Sequence, residues 1–530
     1  MSVGLRDRRV LAGRLLRNVL AAASFTAFAA AVLLLHQDRN VPFPVEMEGP
    51  VPVALSHALF GTRLGEVDSV FNQYFVSQSH DVAAATLIEQ AVAGKTPRGG
   101  EPMMAHDGIG VGAITVTQID FAFFGLHAVA LPLGFLLLLG VTTLCFLGRY
   151  QDARLALVPT IFFAYVVLFY AVEVGLPEGF KGEVPIGGER SYALLAILPA
   201  LHLCFDFLDG GRTRSSAWIR WTLFAVQGLV LVVAIFMRDS LIYLLVPIAI
   251  FASVGWRRGR KTVPRTRTLA PVVILALALI CLMASPQLIF PEYAHQGRLH
   301  SLLWHRMFVG LAVHPDWPFR GMREKYDCTR SIPEGLVRRI SDRNAQCVWH
   351  AFDGNASRPA AEVNAEIYDA DYESALRQAF FDTLKTHPRE VFETFAFYKP
   401  RVVVTQIGRV LEAALRYLLL PFVILQGAIW AMVLATQLMT LRRFAAQSAG
   451  VLVICALGAL GPPTLAWSNA AASLDLMAYV VIGFVLGVAA LLGYGIERQA
   501  HARNLRASAK TNGAAEAAPL NRSAQGFRRP

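Results

Sequence analysis

Charged residues are scarce in this 530-residue sequence. Asp, Glu, Lys and Arg make up 16% of the chain, whereas hydrophobic residues make up 55%. Soluble globular proteins carry about 25% charged residues, so the low charge content excludes a water-soluble globular protein. Intrinsic disorder is excluded too, because disordered chains are poor in aromatic residues and this one has 33 Phe, 14 Tyr and 8 Trp. The composition indicates a polytopic membrane protein.

Cysteine is also scarce, with six residues in the chain. Four of them lie within apolar runs, where cysteine behaves as a small hydrophobic residue: Cys145, Cys204, Cys281 and Cys455. Cys328 and Cys347 share a polar segment. In an oxidising compartment this pair is predicted to form a disulfide worth about 3 kcal/mol.

The familiar nucleotide and hydrolase motifs are missing. The chain has no GxGxxG after a strand, no P-loop, no GxSxG and no HExxH, so chemistry driven by a soluble nucleotide has no anchor. Four histidines between residues 295 and 314 are spaced by five, five and nine residues, which places no two on one helical face. No metal site and no cofactor are predicted, and a divalent metal ion is not indicated.

Long apolar runs are abundant. A helix needs about 20 apolar residues to cross the roughly 30 Å of bilayer hydrocarbon. Ten runs fit this criterion: 19–35, 126–147, 155–174, 191–208, 221–237, 240–255, 268–288, 413–438, 447–466 and 476–495. A weaker run at 109–124, interrupted by Gly110, Gly112 and Asp120, is predicted to be an interfacial helix or part of a longer span. The predicted fold class is an all-α polytopic membrane protein with about 10 transmembrane helices.

Basic residues predict the orientation of these spans. Arginine and lysine cluster in alternate connections, for example at 257–267 and at Arg442 and Arg443, and the short connections between them are nearly free of both. The positive-inside rule therefore places both termini in the cytoplasm. The formal net charge of +11 is largely this orientation signal, so no nucleic-acid partner is expected.

Six segments follow from this topology. They are a cytoplasmic N-terminus with the first transmembrane helix (1–36), a first extracytoplasmic loop with interfacial helices (37–125), a transmembrane bundle (126–288), a mainly helical extracytoplasmic domain (289–405), C-terminal transmembrane helices (406–498) and a disordered cytoplasmic tail (499–530). Within the 289–405 segment, residues 291–355 are predicted to be irregular because Pro and Gly interrupt them. Residues 360–397 are predicted to be helical, with a second helix starting at His387-Pro388.

The outer segments hold the candidate functional residues. A carboxylate can deprotonate a hydroxyl only within hydrogen-bond reach, and four carboxylates border membrane-seeking stretches of the first outer loop: Asp38, Glu46, Glu48 and Asp107. Cations at the outer side are disfavoured unless they are paired or used. The candidates to bind a lipid phosphate are Arg190, Arg238, Lys399 and Arg401, because guanidinium groups match phosphate well. Trp304 and His305 belong to an aromatic surface suited to a sugar or to the headgroup belt.

This layout resembles the GT-C superfamily of membrane glycosyltransferases. The stretches most similar to it are 107–110 with 123–125, 188–192, Met237-Arg238-Asp239-Ser240 and 300–310 with Trp304-His305. The resemblance implies a bacterial inner-membrane enzyme that uses a polyprenyl-phosphate sugar as donor. It also implies a base from the first outer loop and basic residues that hold the lipid phosphate. No adjacent acidic pair follows the first span, which departs from the better-known pattern of the superfamily.

Several functions remain open at this point. The resemblance favours transfer of a sugar to an envelope glycan or lipid acceptor on the outer face of the membrane. The alternatives are a polymerase or ligase of lipid-linked glycan, a transporter, and a non-catalytic scaffold for envelope assembly. A transporter would place functional charge inside its spans, and the ionisable residues within the apolar runs are few: Asp120, His127, His202 and Asp206, with Glu173 and Arg416 near span ends.

Overall fold

The structure is a computed structural model. It describes residues 2–37, 49–63, 65–79, 82–104, 111–150, 192–209, 216–258, 269–289, 303–322, 343–352 and 370–401, together with residues 158, 159, 162, 163, 325, 495, 498, 499 and 501–505. These residues are mostly helical, which confirms the helical part of the predicted fold class. The predicted spans at 413–438, 447–466 and 476–495, and most of the one at 155–174, lie outside the described residues.

The elements before residue 150 are six helices and two short strands. They are α1 (Ser2–Gln37), α2 (Pro50–Phe60), β1 (Glu66–Asp68), α3 (Ser69–Ser79), α4 (Ala84–Val92), β2 (Pro102–Met104), α5 (Val111–Phe124) and α6 (Ala130–Arg149). The strands form an antiparallel pair in which Glu66 lies opposite Met104 and Asp68 opposite Pro102. This two-stranded ribbon was not predicted, because a strand of three residues is too short to show an alternating pattern.

The remaining described elements are almost all helices. They are α7 (Tyr192–Asp209), α8 (Ala217–Met237), a 3₁₀ helix (Asp239–Leu244), α9 (Leu245–Arg258), α10 (Ala270–Ile289), α11 (Leu303–Val309), a 3₁₀ helix (Gly310–Val313), α12 (Arg343–His350), α13 (Ala370–Thr386), α14 (Pro388–Glu393) and a π-helix (Thr394–Tyr398). The start of α14 at Pro388 confirms the predicted second helix of the outer segment. Residues 501–505, in the tail predicted to be disordered, are helical.

Two described helices are long and apolar enough to cross a membrane, α6 and α8. Six further helical stretches are apolar but shorter: Asn18–Leu34, Pro50–Phe60, Gly112–Phe124, Tyr192–Phe207, Leu241–Arg257 and Ala270–Leu282. The predicted count of about ten spans is therefore not confirmed by the described residues. Five of the six shorter stretches coincide with apolar runs of the sequence, and the sixth, in α2, lies in the first outer loop.

Three hydrophobic cores organise the described helices. The largest core contains residues of α1 and of the six helices from α5 through α10. Phe146, Phe205 and Phe251 are among its fully buried residues. The second joins α2, β1, α3, α4 and the turn before α6 around Phe71 and Phe75. Helix α5 belongs to both, because Ala113 faces the first core whereas Ile114 and Phe121 face the second. Close packing of α5 on α8 requires Gly112, since a Cβ there would overlap with the backbone of Phe236 and Met237.

The third core lies within the predicted extracytoplasmic domain. It gathers α11, α12, α13 and α14 around Phe308, Trp317 and Tyr372. Residues 291–355 were predicted to be irregular, yet they contain the two short helices α11 and α12. Isolated helices of this length are unstable in water, so contacts with α13 stabilise both of them.

Candidate functional site

The structure describes only part of the predicted site. The four candidate bases, one candidate phosphate ligand and one half of the predicted disulfide lie outside the described residues: Asp38, Glu46, Glu48, Asp107, Arg190 and Cys328. Their roles stay predictions. The described members are Trp304, His305, Lys399, Arg401 and Cys347 in the outer segment and Arg238 at the end of α8.

Trp304 and His305 lie at the first turn of α11, where a buried carboxylate holds their backbone. Their N–H groups donate to the two carboxylate oxygens of Glu373 in α13, at 2.9 Å and 3.0 Å. The first N–H groups of a helix have no partner inside the helix, and Glu373 satisfies two of them. Burial raises the pKa of Glu373, and these two hydrogen bonds and the nearby charges of His305 and Arg306 lower it in part. Glu373 thereby fixes α11 on α13.

The imidazole of His305 is oriented by a second residue of α13. Its Nδ1 lies 2.6 Å from the hydroxyl oxygen of Tyr372. Tyr372 is fully buried, and its ring packs edge-on against Trp349 with centroids 5.6 Å apart. An imidazole that is held through Nδ1 and half-buried has the arrangement of a general acid or base.

The indole of Trp304 is part of a partly exposed aromatic surface. Its ring lies 5.8 Å from that of Phe380 and 5.2 Å from that of Phe381, and the Arg377 guanidinium lies 6.0 Å over it. Phe381 is 40% exposed. Small-molecule sites combine aromatic walls with a few polar groups. We call Trp304, His305, Arg377 and Phe381 the Trp304 surface.

Arg238 lies at the junction between α8 and the following 3₁₀ helix. Its N–H donates to the carbonyl of Ala234 at 2.9 Å, and its own carbonyl accepts from the N–H of Leu241 at 3.0 Å. The residue is half-buried. Since Gly112 of α5 packs against the adjoining backbone of Met237, Arg238 is close to the start of α5. This predicted phosphate ligand thus lies beside α5.

Lys399 and Arg401 follow the π-helix and differ in exposure. Arg401 is exposed, whereas Lys399 is 1% exposed and its Nζ lies 4.1 Å from the centroid of the Phe395 ring. Burial lowers the pKa of Lys399 to about 7, because removal from water disfavours the charged form. At neutral pH only part of the Lys399 population therefore carries a charge. Phosphate binding by either residue stays a prediction.

A buried histidine, His314, lies beside this segment and was not assigned a role from the sequence. Its ring is 4.7 Å from that of Tyr398. Its Nδ1 accepts a hydrogen bond from the N–H of Asp316 at 3.1 Å, and its Nε2 is 3.6 Å from the Glu393 carboxylate. The hydrogen bond with Arg389 is the main reason that the pKa of Glu393 is lowered. These contacts connect α14 and the π-helix to the turn after α11.

Cys347 and the possible metal ligands add little to the site. Cys347 is buried in α12, and no disulfide joins any two of the described cysteines. The bridge to Cys328 stays a prediction, because that partner is outside the described residues. Among the residues that the structure describes, no three His, Cys, Asp or Glu side chains are grouped so as to hold a metal ion.

Asp68, in the described part of the 37–125 segment, is a buried carboxylate whose backbone contacts explain its position. Asp68 accepts hydrogen bonds from the N–H groups of Phe71, Gly99 and Gly100, at distances between 2.8 and 3.2 Å. Burial favours a raised pKa, but these backbone hydrogen bonds prevail and hold the pKa of Asp68 below its ordinary value. Asp68 thus joins α3 to the segment before β2.

The helical bundle contains a buried ion pair that sequence reasoning did not identify. Arg149, the last residue of α6, lies 2.5 Å from the carboxylate of Asp206 in α7, and both side chains are almost fully buried. The Gln227 side chain in α8 donates to the carbonyl of Thr142 at 2.9 Å and lies 3.3 Å from His202 Nδ1. Buried polar contacts therefore join α6, α7 and α8.

A second buried polar group lies toward the other end of α6. The carboxylate of Asp120 in α5 is 3% exposed, and the hydroxyl of Tyr192 at the start of α7 is fully buried. No hydrogen bond or ion pair joins either side chain to another residue in the described part of the chain. The sequence showed Asp120 as a break in an apolar run, without a partner.

Comparison with known proteins does not assign the chain to a family. No family model matches the chain, and no curated protein and no solved structure matches it either.

Proposed function

We propose that the protein is a membrane-embedded glycosyltransferase that passes a sugar from a polyprenyl-phosphate donor to a glycan or lipid acceptor on the outer face of a bacterial inner membrane. The observation that carries this proposal is the Trp304 surface. Two residues that the sequence assigns to substrate, Trp304 and His305, lie together with the cationic Arg377 and the exposed ring of Phe381.

Each part of this surface suits a sugar that is linked to a phosphate. The partly buried indole of Trp304 and the exposed phenyl ring of Phe381 offer apolar faces to a sugar ring. His305, held through Nδ1 by Tyr372, offers a hydrogen-bonding group beside them. Arg377 adds a guanidinium, which suits an anionic group. Catalysis in this proposal rests on positioning of the two substrates, on one base and on cations that stabilise charge developing on the lipid phosphate.

The membrane topology that we propose contains more spans than the two long apolar helices. We propose about ten spans, both termini in the cytoplasm and the 289–405 segment on the outer side, where the lipid-linked donor is accessible. The proposed base is one of Asp38, Glu46, Glu48 and Asp107, and Arg190, Arg238, Lys399 and Arg401 are the proposed phosphate ligands. Membrane lipids surround the spans, and no nucleic acid takes part.

Replacement of Trp304 tests the proposal. A strain lacking the gene is complemented with the wild type, with Trp304→Ala or with Trp218→Ala, and its envelope glycans are analysed by mass spectrometry. We expect Trp304→Ala to lose one sugar from the glycan and to accumulate the polyprenyl-phosphate sugar. Trp218 is the control, because its indole is 78% exposed and belongs to α8, outside the Trp304 surface.

The result also separates the enzyme from the scaffold. If the Trp304→Ala strain makes the same glycans as the wild type at equal protein level, the Trp304 surface has no part in sugar transfer. Single Asn or Gln replacements of the four candidate bases complete the experiment. Should none of the four change the glycan, the glycosyltransferase proposal fails and a non-catalytic scaffold is favoured.

Transport of a lipid-linked glycan is the second candidate function. The specific observation in its favour is the Arg149–Asp206 pair with His202 and Gln227 in the apolar bundle, since buried charge inside spans is typical of transporters. A flippase would leave the glycan structure unchanged and alter only the side of the membrane on which it is found, so a protease- or lectin-accessibility assay on intact cells distinguishes it from a transferase.

A further inference from the structure

Asp120 is a buried carboxylate without a compensating group in the described structure. It is 3% exposed, and no hydrogen bond or ion pair connects it to a described residue. A buried ionised carboxylate is stable only when it is paired or when it takes up a positive charge. The position of Asp120 therefore requires an explanation in terms of a partner.

The packing around Asp120 leaves space for its carboxylate. It lies against Gly134 in the first turns of α6, where a Cβ would overlap with the carboxylate oxygen Oδ1 of Asp120. In a helix interior, glycine lowers the stability by up to about 1 kcal/mol relative to alanine. The missing Cβ of Gly134 allows the carboxylate to reach the backbone of α6.

The hydroxyl of Tyr192 is the second polar group at this place. It is fully buried, has no hydrogen-bond partner among the described residues, and interacts electrostatically with the Asp120 carboxylate. The Tyr192 ring is held by an edge-on contact with Phe135, the neighbour of Gly134, with centroids 5.6 Å apart. Helices α5, α6 and α7 thus bring a carboxylate and a phenol oxygen into one apolar surrounding.

The charged groups on the neighbouring elements do not complete this site. Arg149, which pairs with Asp206, is fifteen residues further along α6, and at 1.5 Å per residue this is about 22 Å away. His57 in α2 is hydrogen-bonded to the Thr62 carbonyl. Arg238 follows α8 and lies near Gly112 of α5. Gly112 precedes Asp120 by eight residues, which corresponds to about 12 Å along the helix. His202, which contacts Gln227, lies more than two helical turns after Tyr192 in α7.

We propose that Asp120 and Tyr192 form a buried site for one small monovalent cation, a proton or Na⁺, between α5, α6 and α7. A single positive charge neutralises the carboxylate, and the phenol oxygen provides a second oxygen contact. The burial of both groups excludes a larger ligand, such as a sugar hydroxyl or a lipid phosphate. The site is independent of the proposed glycosyltransferase activity.

The experiment measures cation binding and protonation, not activity. The full-length protein in nanodiscs is melted while NaCl replaces choline chloride at constant ionic strength. In a second measurement, in Na⁺-free buffer at neutral pH, infrared spectroscopy records the band of a protonated carboxyl group. Wild type, Asp120→Asn, Tyr192→Phe and Tyr150→Phe are compared, each after size-exclusion chromatography has shown a folded, monodisperse protein.

Two results support the proposal and distinguish the two cations. If the site binds Na⁺, the Tm of the wild type rises with the Na⁺ concentration, Asp120→Asn shows no rise, and Tyr192→Phe binds roughly tenfold more weakly. If the site binds a proton, the wild type has a protonated-carboxyl band that Asp120→Asn lacks and Tyr192→Phe shifts. Tyr150→Phe, a change to another buried tyrosine of the same core, keeps the wild-type rise of Tm with Na⁺ and the wild-type carboxyl band, although its Tm in the absence of Na⁺ is lower.

One result overturns the proposal. A wild-type protein whose Tm does not respond to Na⁺ and whose spectrum contains no protonated-carboxyl band assignable to Asp120 has no cation at this site. If Asp120→Asn does not fold, the wild-type spectrum and the Tyr192→Phe protein still decide the question.

Discussion

The two ends of α6 lie beside buried carboxylates that differ in their partners. At its last residue Arg149 meets the carboxylate of Asp206 in α7, and both side chains are almost fully buried. Near its start Gly134 meets the carboxylate of Asp120, beside a tyrosine hydroxyl without a hydrogen bond. The first end is complete within the protein, whereas the second end needs a ligand. A paired buried group is typical of a structural role, and an unpaired one of a binding site.

The largest expected effect tests this difference directly. Asp206→Asn leaves the buried Arg149 guanidinium without its carboxylate, and loss of one partner of a buried pair costs about 3–5 kcal/mol of unfolding free energy. Asp120→Asn removes a charge that has no described partner, so we expect a change below about 1 kcal/mol. Unfolding in mixed micelles measures both variants. Equal losses would show that the two carboxylates are alike, and the comparison would fail.

A smaller effect is expected at two of the three glycines of α6, Gly134 and Gly148. Gly134→Ala places a methyl group on the Asp120 carboxylate, and such overpacking costs about 1–3 kcal/mol. The nearest neighbour of an added Cβ at Gly148 is a Leu223 methyl group at 3.6 Å, which is ordinary contact. Gly148→Ala should therefore leave stability unchanged or raise it by up to about 1 kcal/mol. Thermal unfolding of both variants would contradict the assignment if Gly134→Ala were the more stable one.

The buried Lys399 extends the comparison to the outer segment. Its pKa in the folded state is lowered to about 7 from the ordinary 10.5 by burial. Below about pH 7 the folded and unfolded states both carry the proton, so the cost of burying the charge is fully present. As the pH rises from 7 toward 10.5 the folded state releases the proton first, and the unfolding free energy increases by at most about 1.4 kcal/mol per pH unit.

Lys399→Met removes this dependence. We expect the variant to be more stable than the wild type at pH 7 and below, with a flatter profile of Tm against pH above 7. The exposed Lys385 of α13 provides the control, because Lys385→Met keeps the wild-type slope. A Lys399→Met protein with an unchanged slope would place the charge of Lys399 in a solvated or well-paired position.

The smallest effect is expected at two buried tyrosines of the largest core, Tyr150 and Tyr192. The Tyr150 hydroxyl donates to the His202 carbonyl at 3.1 Å, so Tyr150→Phe loses a hydrogen bond worth about 1 kcal/mol. The Tyr192 hydroxyl has no such partner in the described structure. In Na⁺-free buffer Tyr192→Phe should therefore be as stable as the wild type or slightly more stable. Denaturant unfolding of the pair measures the difference, and a reversed order would show that Tyr192 is satisfied and Tyr150 is not.

Helix positions were predictable from the sequence where a long apolar run or a start signal was present. The runs at 126–147 and 221–237 became α6 and α8, and Pro388 starts α14 as its place in the first turn predicts. The short helices α11 and α12 were missed because their stability comes from contacts with α13, such as the Glu373 carboxylate on the N–H groups of Trp304 and His305. The β1–β2 ribbon was missed because a strand of three residues is too short to show an alternating pattern.

The candidate site was predictable only in its residue types. The choice of Trp304 and His305 rested on composition and resemblance, and the structure adds Tyr372, Glu373 and Arg377, which come from a helix about seventy residues further along the chain. The contrast between Asp206 and Asp120 was also hidden, because both appear in the sequence as single acids in apolar runs. Only the contacts of Arg149 and Gly134 distinguish them.

The amino-acid sequence by itself determined that the chain is apolar, helical and poor in charge, because these properties are sums over residues and local periodicities. The tertiary structure alone decided which buried charges are paired and which are not. Pairing depends on side chains from different helices meeting within a few ångströms. Helix packing sets that distance. Gly134 leaves room for the Asp120 carboxylate, and Arg149 ends α6 next to Asp206 of α7.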